Sequence, residues 1–278
     1  MDLEQALPRF DLHSAMELTQ TKSAALWRVQ DRHGRDLVLK LYHGPDPGNE
    51  ASGLRFMQAV AQIAPNLVPV IYRTEENAVA MEYVVGQPLG DALRRGDYMQ
   101  EHSLLDTARQ LHAHTLQPIS GLPHLADWFQ RLFNLRFASD CPSDLKADMQ
   151  RAQELASALL ATQRNVRPLH GDLHHDNLIG AGSCYKLIDA KGVLGEPEYE
   201  LANALRNPKG CETWLRDKDQ QKQRQRACCA ALSLDPKRFA QWVAAKCACS
   251  IALRSGGVLK ADPEADLLNM FLALADEV

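Results

Sequence analysis

The chain has 278 residues, 45% of them hydrophobic and 24% charged, with 31 basic and 35 acidic side chains and a formal net charge of -4. These ordinary globular proportions exclude global disorder, and the charge balance gives no general support to nucleic-acid binding. No run of about 18 apolar residues occurs, so no membrane span and no membrane partner are expected. The acidic start, broken by Pro8, does not resemble a secretory signal. Seven cysteines, an odd count without a disulfide spacing, fit reduced thiols in a cytoplasm. Cys247 and Cys249, even with Cys228 and Cys229, lack the usual zinc-ligand spacing and are expected to pack in the core.

In chain order, Ala24 to Val29 reads as a strand, Asp31 to Arg35 as a hairpin turn, and Asp36 to Tyr42 as the returning strand. A polar loop from His43 to Asn49 leads into Glu50 to Ala61, where Leu54, Met57 and Ala61 recur at helical spacing and Asn49 suits an N-cap. Val68 to Tyr72 and Ala78 to Tyr83 read as two more strands about a turn at Thr74 to Asn77. Gly86 to Gly90 marks a junction. Beyond it the pattern turns helical over His102 to His114, Leu125 to Phe137, Leu145 to Thr162, Phe239 to Arg254 and Pro263 to Leu274. Asp217 to Arg226 is so polar that a solvated helix face or loop is expected. The fold class is therefore α+β: a strand-rich small lobe over residues 1–85 and a helix-rich large lobe over residues 86–278.

Pro168 stops the helical pattern, and the segment His170 to Asp189 reads as a loop followed by a tight hairpin, Leu178-Ile179, Gly180 to Ser183, Tyr185 to Ile188. Within it Asp172 and Asn177 stand five positions apart, and Asp189 ends the hairpin. Phosphoryl transfer from a nucleotide needs oxygen ligands for a metal and a carboxylate that orients the attacking hydroxyl and takes its proton. Asp172 is the candidate base. Asn177 and Asp189 are candidate ligands for Mg²⁺, which prefers hard oxygen donors and accepts phosphate oxygens as partners. His170 is expected to organise the loop by bonding backbone near Asp189, His174 to shape the loop or touch substrate, and His175 to be exposed. The three histidines lack the spacing of a helical zinc site and would leave Asp172 and Asn177 without a task.

The string Leu169-His170-Gly171-Asp172-Leu173-His174-His175-Asp176-Asn177, with Ile188-Asp189-Ala190-Lys191-Gly192-Val193-Leu194-Gly195-Glu196 and Ala202 to Pro208, resembles the streptomycin 6-kinase and hydroxyurea-resistance kinase group of the aminoglycoside phosphotransferases. The resemblance runs from about Leu26 to beyond Arg254. It implies a bilobal protein-kinase-like fold, an antiparallel-sheet N-lobe on a mainly helical C-lobe, and an ATP-dependent kinase acting on a small hydroxylated substrate. By the same resemblance Lys40 meets the nucleotide α- and β-phosphates, Glu50 pairs with Lys40, and Met81-Glu82-Tyr83-Val84 is the linker that holds the adenine edge. No glycine-rich loop precedes Lys40, so the Thr21 and Ser23 hydroxyls are candidates to meet phosphates there. Gly171 replaces the arginine of protein kinases, and Asp189-Ala190-Lys191 replaces their Asp-Phe-Gly.

Glu196, Glu198 and Glu200 are candidates for substrate binding, since clustered carboxylates suit a cationic acceptor such as an aminoglycoside. Their alternatives are helix capping or solvation. A metabolic sugar, amino sugar or amino alcohol remains an alternative acceptor. A catalytically inactive kinase-fold binding or regulatory protein is the alternative class, and a protein serine/threonine kinase a third.

Overall fold

A computed structural model describes residues 1–21, 23–44, 49–75 and 77–278. The expected Asn49 side-chain cap and the middle of the loop from His43 lie outside the described residues. The chain opens with helix α1, Leu3–Arg9, an element the sequence reading did not contain. Its start is fixed by a capping box: Asp2 Oδ1 accepts the Gln5 N–H at 2.9 Å, and Gln5 Oε1 accepts the Asp2 N–H at 3.2 Å. Then come β1 (Leu12–Gln20), β2 (Ala24–Asp31) and β3 (Asp36–Tyr42). After these follow α2 (Asn49–Ile63), β4 (Ile71–Glu75) and β5 (Ala78–Glu82). The five strands form one antiparallel sheet in the order β1-β2-β3-β5-β4. Val68 falls outside β4, because a short 3-10 turn at Pro65–Leu67 precedes it.

Alternation along β3 sorts its side chains. Leu37, Leu39 and Leu41 enter a buried cluster with Ala6 of α1 and Phe10 just after it, so α1 covers that face. Lys40 belongs to the opposite face, opposite Leu26 of β2 and Val79 of β5. There Tyr42 and Val79 pack with Leu54 of α2.

The second lobe contains α3 (Leu89–Arg94), α4 (Glu101–His112), α5 (Leu125–Phe133), β6 (Arg136–Phe137) and α6 (Ser143–Ala161). Next come β7 (Arg167–Leu169), β8 (Leu178–Ala181), β9 (Cys184–Leu187) and β10 (Val193–Gly195). The chain closes with α7 (Glu212–Leu215), α8 (Lys218–Leu232), α9 (Pro236–Arg254), β11 (Val258–Leu259) and α10 (Ala265–Asp276). α9 starts with Asp235 as N-cap and Pro236 in the first turn, then runs through the lobe centre against α5, α6, α8 and α10. α5 stops at Phe133, four residues before the expected end, and Arg136–Phe137 pairs with β11 instead.

The polar stretch Asp217 to Arg226 is a helix start capped by Asp217 and largely open to solvent, except that it buries Gln221 and Arg224. Gln221 Nε2 donates to the Leu205 and Leu215 carbonyls, and Arg224 bonds Glu101 and the Ala204 carbonyl. Composition hid this because the Gln221 amide N–H and the Arg224 guanidinium find their partners in segments remote in sequence. Among the described residues no helix is long and apolar enough to cross a membrane, and all seven cysteines are free thiols.

Candidate active site

An open cleft of about 580 Å³ lies between the sheet and the helical lobe. Thr21 and Ser23 reach it from the β1–β2 turn, Lys40 from β3, and Glu50 from α2. Met81 to Val84 line it at the end of β5, and Asn177 and Asp189 line it from the other lobe. Lys40 Nζ is paired with Glu50 Oε2 and lies 3.7 Å from Asp189 Oδ1. Ser23 Oγ donates to the second Glu50 oxygen at 3.1 Å, so the turn hydroxyl braces the ion pair. Thr21 Oγ1 is engaged within its own turn, bonding the Ala24 N–H and carbonyl at 2.9 Å. The Glu82 carboxylate accepts from Lys186 of β9 and from the Val70 N–H, tying the lobes together. Tyr83 lies under the Arg28 guanidinium, 4.6 Å from ring centre to Cζ.

The loop after β7 is built around His170, which is fully buried. Its Nε2 bonds the Ile188 carbonyl at 3.0 Å, and its Nδ1 accepts the Asp172 N–H at 3.3 Å. Its own carbonyl accepts from the Lys191 and Gly192 amides. One imidazole and its peptide thereby hold both Asp172 and the chain around Asp189. Burial holds the His170 pKa below the usual histidine value against the neighbouring carboxylates, so the ring is neutral. Asp189 has φ +54, a left-handed conformation that this clamp maintains. Gly171 has φ +79, and a Cβ there would stand 2.8 Å from Val193 Cγ2, which explains glycine at this position.

Asn177 Nδ2 donates to the Asp172 carbonyl at 2.8 Å, leaving Oδ1 as the acceptor end of the amide. His175 is the opposite of its expectation: it is fully buried, 3.8 Å from Glu101, against Trp214. Asp176 anchors the loop through Arg94, at 2.6 and 2.7 Å. His174 is pushed down to about 4 by burial and is neutral near pH 7.

A second open cavity of about 330 Å³ adjoins the first, and Lys191 lines both. Asp172 projects into the second. Its Oδ1 accepts from Asn203 Nδ2 at 2.8 Å and lies 3.7 Å from Lys246 Nζ. Burial alone would raise the Asp172 pKa. Lys246, His174 and Lys191 outweigh it, so the carboxylate stays ionised below its usual value. Lys246 is buried in α9, yet Tyr199 and Asp172 overcome that burial and raise its pKa. Sequence reasoning missed Lys246 and Asn203. The available signal was a single charge, Lys246, within the otherwise uncharged run Phe239 to Leu253.

The glutamates expected at the acceptor surface are corrected for two of three. Glu196 is buried, bonded to Arg238, Trp242 and the Arg164 N–H. Glu200 is buried and receives the His170 and Gly171 amides at 3.1 and 3.0 Å and His112 at 3.1 Å. They are spoken for by the scaffold and do not face a ligand. Glu198 is half-buried and touches the Asp235 amide at the start of α9.

Residues 9–256 match the profile of a family described as aminoglycoside/hydroxyurea antibiotic resistance kinase. A streptomycin 3''-kinase of Klebsiella pneumoniae is 42% identical over 106 residues, a stretch covering 38% of this chain and 37% of that kinase. The fold is similar to amicoumacin kinase hAmiN, solved with AMP-PNP, Ca²⁺ and Ami. That match has a TM-score of 0.69 at 14% identity and covers 100% of this chain and 94% of the other. It is also similar to a thermostable mutant of the aminoglycoside phosphotransferase APH(4)-Ia, with a TM-score of 0.63 at 13% identity, covering 99% and 98%. The bilobal protein-kinase-like fold is thus shown by whole-chain likeness.

Proposed function

The chain belongs to the aminoglycoside/hydroxyurea antibiotic resistance kinase family, and from that premise we propose that it moves the γ-phosphoryl group of ATP to a hydroxyl of a small molecule. The observation that carries this reading is the convergence of Lys40, Glu50 and Asp189 on one cavity, with Asp172 in the adjoining one. Residues 1–85 supply the cation and the base-binding edge, and residues 86–278 supply the oxygen donors and the acceptor space. A site that consumes ATP belongs in the cytoplasm.

Lys40, held by Glu50, binds the nucleotide phosphates, and the Met81 to Val84 edge receives the base. Asp172 orients the acceptor hydroxyl and takes its proton as the oxygen attacks the γ-phosphorus. The bond to the β–γ bridging oxygen then breaks and ADP leaves. Lys191, which lines both cavities, is placed to meet the transferred group.

Asn177 Oδ1 and the Asp189 carboxylate are hard donors of the kind Mg²⁺ takes, and they fit that ion. Among the described residues no group of three His, Cys, Asp or Glu could hold a metal by itself, so Asn177 and Asp189 would hold the ion together with water and nucleotide oxygens. When bound it would supply positive charge against the phosphates.

The family and the Klebsiella relative make aminoglycosides and hydroxyurea the first acceptors to try, with sugars and amino alcohols beside them. The test is ATP consumption by the purified protein with Mg²⁺ across that panel. Acceptor-dependent turnover and a product heavier by one phosphoryl group support the reading. Nucleotide binding without turnover on any acceptor favours the inactive binding protein instead.

A further inference from the structure

The phosphotransferase reading leaves one buried row of polar side chains without a task. It runs behind the loop that carries Asp172, and none of its members lines either cavity. At its inner end the buried Glu200 accepts the His170 N–H at 3.1 Å and the Gly171 N–H at 3.0 Å, so its carboxylate holds the two residues that precede Asp172. In the middle His112, at the end of α4, stands with Nε2 3.1 Å from Glu200 Oε2. At the outer end Arg167 of β7 donates from Nη2 to His112 Nδ1 at 2.5 Å.

Hydrogen-bond polarity gives the row a direction. A guanidinium has only N–H groups to offer, so His112 Nδ1 accepts and the ring proton stands on Nε2, facing Glu200. Among the described residues this imidazole is the one hydrogen-bond partner of the Arg167 side chain, and Arg167 Nε is buried without another. A carboxylate sealed from water is costly unless donors surround it. Burial alone would raise the Glu200 pKa, but the hydrogen bonds from His112 and the Gly171 amide outweigh it, so the group stays ionised. The Arg167 charge faces it from one imidazole away.

We propose, resting on the phosphotransferase reading, that Arg167 and His112 are positioning residues for the reaction: Arg167 fixes the His112 tautomer, His112 holds Glu200 on the loop amides, and Glu200 sets where Asp172 stands. The last step is short, because Asp172 follows Gly171 directly and its own N–H bonds His170 Nδ1. A general base works only within hydrogen-bond reach of its proton, so a small shift of this loop lowers turnover without touching a substrate contact.

The experiment measures kcat, acceptor KM and nucleotide affinity for wild type, His112→Leu, His112→Gln and Arg167→Met, with ATP, Mg²⁺ and an acceptor that wild type turns over. His112→Leu fills the site without a donor and is expected to lower kcat by about tenfold to a hundredfold, with acceptor KM and nucleotide affinity near wild type. His112→Gln keeps an N–H within reach of Glu200 and should restore most of the lost turnover. Arg167→Met should fall between the two, since the imidazole stays but loses its fixed tautomer. Hydrogen exchange over residues 169–173 is read in the same proteins without acceptor. The His170 and Gly171 amides should exchange faster in His112→Leu and regain protection in His112→Gln, while α9 keeps its protection throughout. Wild-type kcat in His112→Leu, or wild-type exchange of those two amides, overturns the proposal. A loss that His112→Gln does not recover, or one shared equally by α9, is general destabilisation and overturns it as well. If His112→Leu does not fold, Arg167→Met against wild type decides by the same two readouts. If no acceptor raises ATP consumption, the phosphotransferase reading fails. The exchange pattern then tests by itself whether the row holds the loop, and equal exchange in all the proteins overturns it.

Discussion

Lys40 Nζ sits between two carboxylates from different parts of the chain, paired with Glu50 of α2 and 3.7 Å from Asp189 Oδ1. The contact joins the sheet lobe to the loop of the helical lobe. It sets the cation proposed to meet the nucleotide phosphates next to the carboxylate proposed to hold the metal. Lys40→Met is expected to weaken nucleotide binding whether or not Mg²⁺ is present. Asp189→Ala should abolish the Mg²⁺-dependent part while leaving weak metal-free binding. Titration of a fluorescent ATP analogue with and without Mg²⁺ separates the two. Equal Mg²⁺ dependence in Asp189→Ala and wild type would remove Asp189 from the metal site.

Asp172→Asn keeps the shape and the Asn203 contact region but removes the proton acceptor. Loss of a positioned general base lowers turnover by about 10²- to 10⁴-fold. Nucleotide affinity should change little, because Asp172 lines the cavity proposed for the acceptor and not the one proposed for the nucleotide. Single-turnover kinetics beside nucleotide binding checks this, and undiminished turnover would end the base assignment.

Glu196 and Glu198 lie two positions apart and should behave differently. Glu196→Gln removes the charge partner of the buried Arg238, and breaking such a pair costs about 3–5 kcal/mol. Glu198→Gln touches only a partly exposed contact and should stay within about 0.5 kcal/mol of wild type. Urea unfolding measures both. An unaltered midpoint for Glu196→Gln contradicts the scaffold role given to it here.

How far the sequence could be read follows from distance along the chain. The residues from Asp172 to Asp189 are legible because base, amide and second carboxylate fall within one loop and hairpin. The pairing of Lys40 with Glu50 is reached through the family resemblance, with the strand and the helix after it readable from their own patterns. By contrast, Lys246 reaches Asp172 only through the path of α9, and nothing local in either segment announces the meeting. The glutamates misled for a related reason. Their spacing suggests a charged surface, but burial depends on Arg238, Trp242 and His112, which come from remote helices. The polar start of α8 and the buried His175 were obscured in the same way, since what covers them, Leu205 and Leu215 for Gln221 and Trp214 and Glu101 for His175, comes from other segments of the chain.

His174 gives a pH dependence. Its folded pKa, pushed down to about 4, lies below the ordinary histidine value, so the unfolded chain binds a proton that the folded one refuses. The stability from this site is complete above about pH 6.5 and is lost progressively as the pH falls towards 4, by up to about 3 kcal/mol. His174→Asn should flatten that part of the curve. Urea midpoints from pH 7 down to 4 give the comparison, and parallel curves for both proteins would contradict it.

The helix that carries Glu50 is seated against the chain that carries Asp189. A Cβ on Gly53 would stand 1.8 Å from the Ala190 carbonyl oxygen, and Ser52 Oγ donates to the Lys191 carbonyl at 2.9 Å. Helix and loop meet backbone to backbone along this seam, so any side chain at position 53 would have to push α2 away from the segment that follows Asp189. Glu50 rides on that helix, and a wedge at the seam would therefore disturb the Lys40–Glu50 pair and the approach of Asp189 together. A residue that touches no proposed ligand thus governs whether the two carboxylates can share one lysine.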